Sequence, residues 1–201
     1  MDAVTILGTV AGLLKTHHVD AVLIGCAGAA LQGAPVTTND LDFYFRPTRL
    51  NVEKLRRVAS ALGTTLTQPH YPLSKMYRIV FPSLGIQVDM MGTVYGVKSF
   101  ESVRSRADHT VVDGNPLTVA SLRDIITMKK AANRPKDRAV MPVLQETLRE
   151  SEEKSESPAR RALRLESERA QREQVRAHLA LPMNQRTHFL RLRLTPRSSC
   201  I

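Results

Sequence analysis

Tryptophan is absent, aromatic residues make up 4% of the 201 positions, and cysteine occurs twice, at positions 26 and 200. A core with so few rings must be built from Leu, Val, Ile, Ala and Met. Two cysteines at opposite ends of the chain, with no Cys-x-x-Cys spacing, exclude a disulfide framework or a cysteine zinc site and make a reducing cytoplasm the expected compartment. No stretch approaches the roughly 20 apolar residues needed to cross a bilayer. The opening MDAVTILGTVAGLLK has an acid at position 2 and only a short apolar run, which does not fit a signal peptide. The expectation is a cytoplasmic chain with no membrane partner.

What is present in excess is positive charge. There are 29 Lys and Arg against 19 Asp and Glu, a formal net charge of +10. That balance suits a polyanionic partner such as tRNA or another RNA; an Arg-rich soluble surface accounts for it equally well. The excess is uneven: residues 151–201 hold eleven Lys and Arg against six Asp and Glu, so this quarter carries five of the ten net charges. The composition therefore divides the chain into a domain over 1–150, long enough to bury a core, and a basic, charged tail over 151–201. SPARRALRLESERAQREQVRAHLAL reads as a long charged helix with a thin apolar stripe of Leu163, Leu165, Val175, Leu179 and Leu181, supported by Glu–Arg pairs at helical spacing. FLRLRL at 189–194 alternates like a strand. Such a tail can bind RNA, dock on a partner, or stay unfolded.

The informative stretch is VLIGCAGAALQGAPVTTNDLDFYF, residues 22–45. It reads as a strand over 21–25, a tight turn, a helix of about 26–32, the loop GAPVTTN, and a second strand opening on Asp40 and Asp42. Side chains two apart on a strand share a face, so these carboxylates form a like-charged pair. Such a pair is costly unless a hard cation joins it or a proton neutralises one member. Oxygen-only ligands suit Mg²⁺, which leaves its other positions to water and phosphate. Upstream, Gly25-Cys26-Ala27-Gly28 lets backbone come close to a ligand where a helix begins, a place that attracts anions. Strand, small-residue turn and carboxylate pair together can hold a nucleoside triphosphate. Thr38 can bond its own loop or touch that ligand.

This pattern resembles the nucleotidyltransferase superfamily of the polymerase-beta-like fold: a strand, two small residues (here Gly25-Cys26), thirteen residues, Asp40-Leu41-Asp42, and a third carboxylate on a later strand, here Asp89 in GIQVDMM. LRDIITMKKAANRPKD, residues 122–137, further resembles a segment of the small bacterial AbiEii-toxin-like and minimal nucleotidyltransferases. Two positions differ from the pattern: Cys26 stands where relatives have Gly or Ser, and Val140 where they often have Asp. The resemblance implies an α/β (α+β) nucleotidyltransferase fold, a mixed, mostly antiparallel twisted sheet flanked by helices, with a C-terminal helical extension. It implies a Mg²⁺-dependent enzyme moving NMP from an NTP, with Asp40, Asp42 and Asp89 holding two Mg²⁺ ions. Asp89 then helps deprotonate the attacking hydroxyl, Lys129 neutralises the triphosphate, and Gly25, Cys26, Thr38, Lys136 and Asp137 line the nucleotide. Acceptors within such groups include tRNA 3′ ends in a toxin–antitoxin setting, a partner toxin protein, and aminoglycosides. A catalytically reduced relative acting as a binding or regulatory protein, with a cognate antitoxin or toxin as partner, is the competing expectation.

Other readings stay open at the same residues. Asp89 suits the solvent face of a half-exposed strand, the lysines a solvated helix end, and Asp137 a simple charge complement to a helix start. The remaining elements follow from pattern. Val4, Ile6, Leu7, Val10, Leu13 and Leu14 predict an amphipathic helix over 2–16. Asn51 is expected to cap a helix ending at Leu62, and 64–67 and 76–82 to be strands, the latter turning at Ser83-Leu84-Gly85 into the strand that holds Asp89. A short helix is expected over 99–107, a hairpin with Gly114-Asn115 at its turn, a helix over 122–132 capped by Ser121, and another from Lys136 or Asp137.

Overall fold

The computed structural model describes residues 3–69 and 75–180. Within it the chain forms two units, residues 1–150 and 151–201.

The first unit is built on a single six-stranded sheet. Its strands are β1 (Ala21–Leu23), β2 (Asp40–Phe45), β3 (Met76–Phe81), β4 (Ile86–Met91), β5 (Asp108–Val112) and β6 (Asn115–Val119), lying in the order β3-β4-β2-β1-β6-β5. Three neighbouring pairs, β1 with β2, β3 with β4 and β5 with β6, are antiparallel; β1 with β6 and β2 with β4 are parallel. The sheet is therefore mixed and mostly antiparallel, as expected. The helices are α1 (Ala3–Thr16), α2 (Gly25–Ala30), α3 (Arg49–Ala61), α4 (Phe100–Arg104), α5 (Leu122–Ala132) and α6 (Pro135–Ser155).

Two apolar layers sandwich this sheet. On one face Leu41, Phe43, Phe45, Val88, Met90 and Val119 pack under Ile6, Val10 and Leu14 of α1 and Leu55 and Val58 of α3. On the other, Val22, Tyr44 and Ala120 pack with Phe100 and Val103 of α4, Ile125 and Met128 of α5, and Leu144 of α6. The period of two along β2 thus sends Leu41, Phe43 and Phe45 to the first face and Asp40, Asp42 and Tyr44 to the second. Sliding β2 by one residue would strip three side chains that are 0–2% exposed from the core, at about 1.5–3 kcal/mol each, and drive both acids into it. That penalty holds the register.

Local details differ from the sequence expectations in several places. Strand β1 ends at Leu23, and Gly25 already starts α2. Residues 64–67 make no strand; a single bridge joins Thr67 to Arg78. The cap of α3 is Thr48, whose hydroxyl accepts the Asn51 N–H at 3.2 Å. Asn51 is instead a buried tie: its Oδ1 accepts the Asp20 N–H at 2.9 Å, and its Nδ2 donates to the Asp20 and Arg46 carbonyls at 3.0 and 2.8 Å. A primary amide can satisfy three backbone groups at once, so it joins the start of β1 to the end of β2 across the first turn of α3. In the β5–β6 hairpin, the residues at positive φ are Asp113 and Gly114, at 50° and 75°. An Asp-Gly pair with both φ positive is a favoured two-residue turn, which moves the turn one residue ahead of Gly114-Asn115. Ser121 caps α5 as expected, accepting the Asp124 N–H at 3.2 Å.

In the second unit, α7 (Pro158–Ala180) is a helix with exposed Leu163, Leu165, Val175 and Leu179. Arg164 bonds Glu168 one turn on at 2.8 Å and Glu156 at 3.1 Å, an instance of the Glu–Arg pairing expected there. Leu181, FLRLRL and Cys200 lie outside the described residues. Among the described residues, no helix is long and apolar enough to cross a membrane.

Candidate active site

The site forms on the second face of the sheet, where β2 and β4 run side by side. Their parallel register pairs Asp40 with Gln87 and Asp42 with Asp89. Paired residues on adjacent strands about 4.8 Å apart direct side chains to the same face, so Asp40, Asp42 and Asp89 share one surface. The antiparallel β3–β4 register adds Arg78 opposite Asp89.

Asp42 is the most burdened of these acids. Burial first, then the charges of Asp89 and Asp40, raise its pKa from 3.8 to about 6, against the smaller opposing pull of Lys136 and Lys129. Asp89 is buried and already partnered. Arg78 grips it with two bonds, Nε to Oδ1 at 2.6 Å and Nη2 to Oδ2 at 2.8 Å, and Gln87 Nε2 donates to Oδ2 at 3.4 Å. Among the described residues, no group of three His, Cys, Asp or Glu side chains is placed to hold a metal ion together.

The backbone of Gly25 closes on Asp42 from β1. The Ile24 N–H donates to the Asp42 carbonyl at 2.8 Å, and the chain then turns through Gly25 at φ +69° into α2. A Cβ on Gly25 would overlap Asp42 Oδ2 and stand 3.1 Å from its Cβ and Cγ. Only glycine fits here, for conformation and for space. Gly25→Ala is expected to lose about 2–4 kcal/mol, the sum of positive-φ strain and overpacking. Gly33, at φ +89° with nothing within 4 Å of a new Cβ, is the control: its Ala variant carries the conformational strain alone, about 1 kcal/mol. Equal urea midpoints for the two variants would contradict a steric role at Gly25. Cys26 follows, half-buried.

Thr38 bonds its own loop: its hydroxyl accepts the Asp40 N–H at 3.1 Å, and donates to the Asp40 carbonyl at 3.3 Å. It thereby fixes the entry of β2.

The junction of α5 and α6 brings the cations. Asp137 is wholly buried. Its Oδ1 accepts Lys129 Nζ at 3.2 Å and Arg134 Nη2 at 3.3 Å; its Oδ2 accepts Arg134 Nε at 2.6 Å and the Arg134 N–H at 3.3 Å. Burial would raise its pKa, but the bonds from Arg134 and Lys129 prevail and hold it below the ordinary carboxylate value. Asp137 is thus an anchor for two cations rather than an exposed complement to a helix start. Lys129 is buried on this anchor, while Lys136 is exposed. The Arg134 guanidinium lies within the field of Asp42 and near Cys26. The structure therefore brings Lys129, Lys136 and Asp137 to the same neighbourhood as Asp42, Gly25 and Cys26.

Two cations escaped the sequence reading. Arg78 could have been found by pairing opposite charges across the β3–β4 hairpin. Arg134 could have been found from its i,i+3 spacing to Asp137 at a helix start.

A family model described as a nucleotidyl transferase of unknown function (DUF2204) matches residues 3–180, α7 included. No curated protein matches the chain. Among solved structures, the crystal structure of ANT(2'')-Ia in complex with adenylyl-2''-tobramycin is similar at 14% identity, covering 72% of this chain and 88% of that one with a TM-score of 0.52. The solution structure of the antibiotic-resistance factor ANT(2'')-Ia is similar at 15% identity, covering 87% and 97%, with a TM-score of 0.53. A Thermotoga maritima protein described as a nucleotidyltransferase matches at 20% identity over 73% of this chain and 92% of its own, with a TM-score of 0.49. At these identities the likeness to the two ANT(2'')-Ia structures is one of fold.

Proposed function

The chain belongs to the family of nucleotidyl transferases whose model spans residues 3–180, and from that premise we propose that it moves a nucleoside monophosphate from an NTP to an acceptor hydroxyl with the help of Mg²⁺. The observation that carries this reading is Asp42, an acid of raised pKa pressed between Asp40, Asp89 and the bare backbone of Gly25. Such an acid is stabilised by a cation. Asp40 and Asp42 offer hard oxygen donors on one strand face, which fits a divalent ion of the Mg²⁺ type. When bound, the ion supplies positive charge to the triphosphate and to the oxygens at the reacting phosphorus.

The chain's own residues would do the rest. Gly25 and Cys26 let the phosphates approach the backbone at the start of α2. Lys136, exposed beside Asp42, meets the triphosphate. Asp137 positions Lys129 and Arg134 so that their charge faces the same place, and Thr38 sets the angle at which Asp40 enters. The acceptor oxygen bonds to the α-phosphorus as the bond to the β-phosphate oxygen breaks, and the hydroxyl proton passes to solvent. Catalysis of this kind is mainly positioning and charge stabilisation.

The net charge of +10 is compatible with a polyanionic acceptor, and for some AbiEii-like toxins, which an antitoxin holds in check, the acceptor is the tRNA 3′ end. The test is incubation of the full chain with each labelled NTP, Mg²⁺ and total tRNA. Label should enter tRNA, and EDTA should abolish it. Label entering an added aminoglycoside or a co-expressed protein instead would keep the chemistry and change the acceptor. A second reading, a regulatory binding protein, is favoured by the clamp of Arg78 on Asp89 and by Cys26. It predicts retained RNA binding with no transfer to RNA, protein or aminoglycoside.

A further inference from the structure

Asp89 is the residue in which sequence pattern and geometry part. The pattern makes it a ligand to a second metal ion. In the fold its carboxylate is 9% exposed, both oxygens accept from Arg78, and Gln87 adds a third bond.

This is not an incidental surface pair. Exposed ion pairs exchange readily and contribute little, whereas a two-bond Arg–carboxylate contact with one partner buried has fixed geometry and charge-assisted strength. The backbone of Arg78 is also held from both sides. It pairs with Asp89 in the β3–β4 ladder, and on its outer edge it exchanges N–H to carbonyl bonds with Thr67 at 2.9 and 2.8 Å. The Thr67 hydroxyl adds a bond to the Arg78 carbonyl at 3.1 Å. The guanidinium is therefore delivered to Asp89 by a strand that cannot slide.

Charge counting points the same way. Asp40, Asp42 and Asp89 place three negative charges on this face, and Arg78 returns one positive charge at Asp89. Lys129 and Arg134 are engaged on Asp137, and Lys136, although it pulls on Asp42, is exposed; the two carboxylates left without an ion pair of their own are both on β2, matching a single divalent ion. A second ion bridging Asp42 and Asp89 would sit against a fixed guanidinium and compete with it for the same oxygens.

We propose that Arg78 is the resident counter-cation of Asp89, so that the site takes one divalent ion, on Asp40 and Asp42, with Asp89 as a positioning residue rather than a ligand. This rests on the metal-dependent reading above and narrows it from the two ions that the family pattern implies.

The test counts bound Mn²⁺ by the electron paramagnetic resonance signal of the free ion, titrated into the full chain at pH 7.5 without nucleotide. Wild type should bind one ion per chain and Asp42→Asn none over the same range. Arg78→Gln, which releases Asp89, should bind two. Should that variant fail to fold, the charge-neutral pair Arg78→Gln with Asp89→Asn serves: it should keep the single ion at unchanged affinity. Two ions in wild type, one in folded Arg78→Gln, or loss of the ion in the paired variant would each overturn the inference while leaving the nucleotidyl-transfer reading standing. No Mn²⁺ bound by wild type would overturn both the inference and the metal site it rests on.

Discussion

Asp42→Asn is expected to make the metal-free chain more stable at pH 7.5 while lowering nucleotidyl transfer by about 10³-fold or more, the scale on which a group stabilising transition-state charge is missed. The two effects share a cause. In the fold the Asp42 pKa is raised from 3.8 to about 6 by burial and by the charges of Asp89 and Asp40. A raised carboxyl pKa means that the folded state holds the proton more tightly than the unfolded one. The contribution of Asp42 to stability is therefore fully present below pH 4 and is lost as pH rises to about 6. The shift corresponds to about 3 kcal/mol at 1.36 kcal/mol per pKa unit.

Asn carries no charge and escapes that loss. Urea unfolding in EDTA should show wild type and Asp42→Asn alike at pH 4 and separated by up to about 3 kcal/mol at pH 7.5, the variant being the more stable. Added Mg²⁺ should raise the wild-type midpoint and leave the variant unmoved, because a ligand that binds only the folded state stabilises it. Metal affinity of wild type should rise across pH 5 to 7 as the proton is displaced. A variant less stable than wild type at pH 7.5 would show that the Asp42 charge is satisfied without a cation, and the proposed ion would lose its motive.

Asp137→Ala should act in the opposite direction, costing about 3–5 kcal/mol, the range for breaking a buried pair by removing one partner. Asp137 is wholly buried, and the Lys129 side chain at 10% exposure would be left without its partner. A loss of this size should lower the melting temperature by roughly 10 °C for a unit of about 150 residues. Pairing Asp137→Asn with Lys129→Met removes both charges, and should recover part of the loss, since a buried pair replaced as a whole costs less than one broken in half. A fall of under about 1 kcal/mol for Asp137→Ala, as for an exposed ion pair, would rule out the anchor. The pH dependence also has the reverse sign. The folded pKa of Asp137 lies below its ordinary value, so its stabilisation is present above pH 4 and fades as pH falls through the lower folded value. Transfer should decline in Asp137 variants that still fold, because Lys129 and Arg134 lose the carboxylate that positions them.

The two acids also show how much could be seen before the fold was known. Asp40 and Asp42 had to share a face, because strand geometry is local and β2 is read directly from its alternation with Leu41, Phe43 and Phe45. The glycine turn, the cap at Ser121 and a new helix beginning near Lys136 were legible for the same reason: each is decided within a few residues. Asp137 looked like an ordinary helix-start acid, since nothing nearby in the chain says that Lys129 and Arg134 converge on it in a buried corner. Asn51 looked like a cap because its neighbours allow it, and only the return of Asp20 and Arg46 to the same spot made it a tie between strands.

What the sequence by itself determined is the chemistry available: a carboxylate pair, a small-residue turn, a third acid and a set of cations in the order of a nucleotidyltransferase. Only the tertiary structure decided their pairing. Parallel register set Asp42 against Asp89, and the β3 edge delivered Arg78 to Asp89 and left Asp40 and Asp42 without an ion pair among the described residues. Charge interactions depend on separation in space, and separations across a sheet are set by core packing and register rather than by distance along the chain.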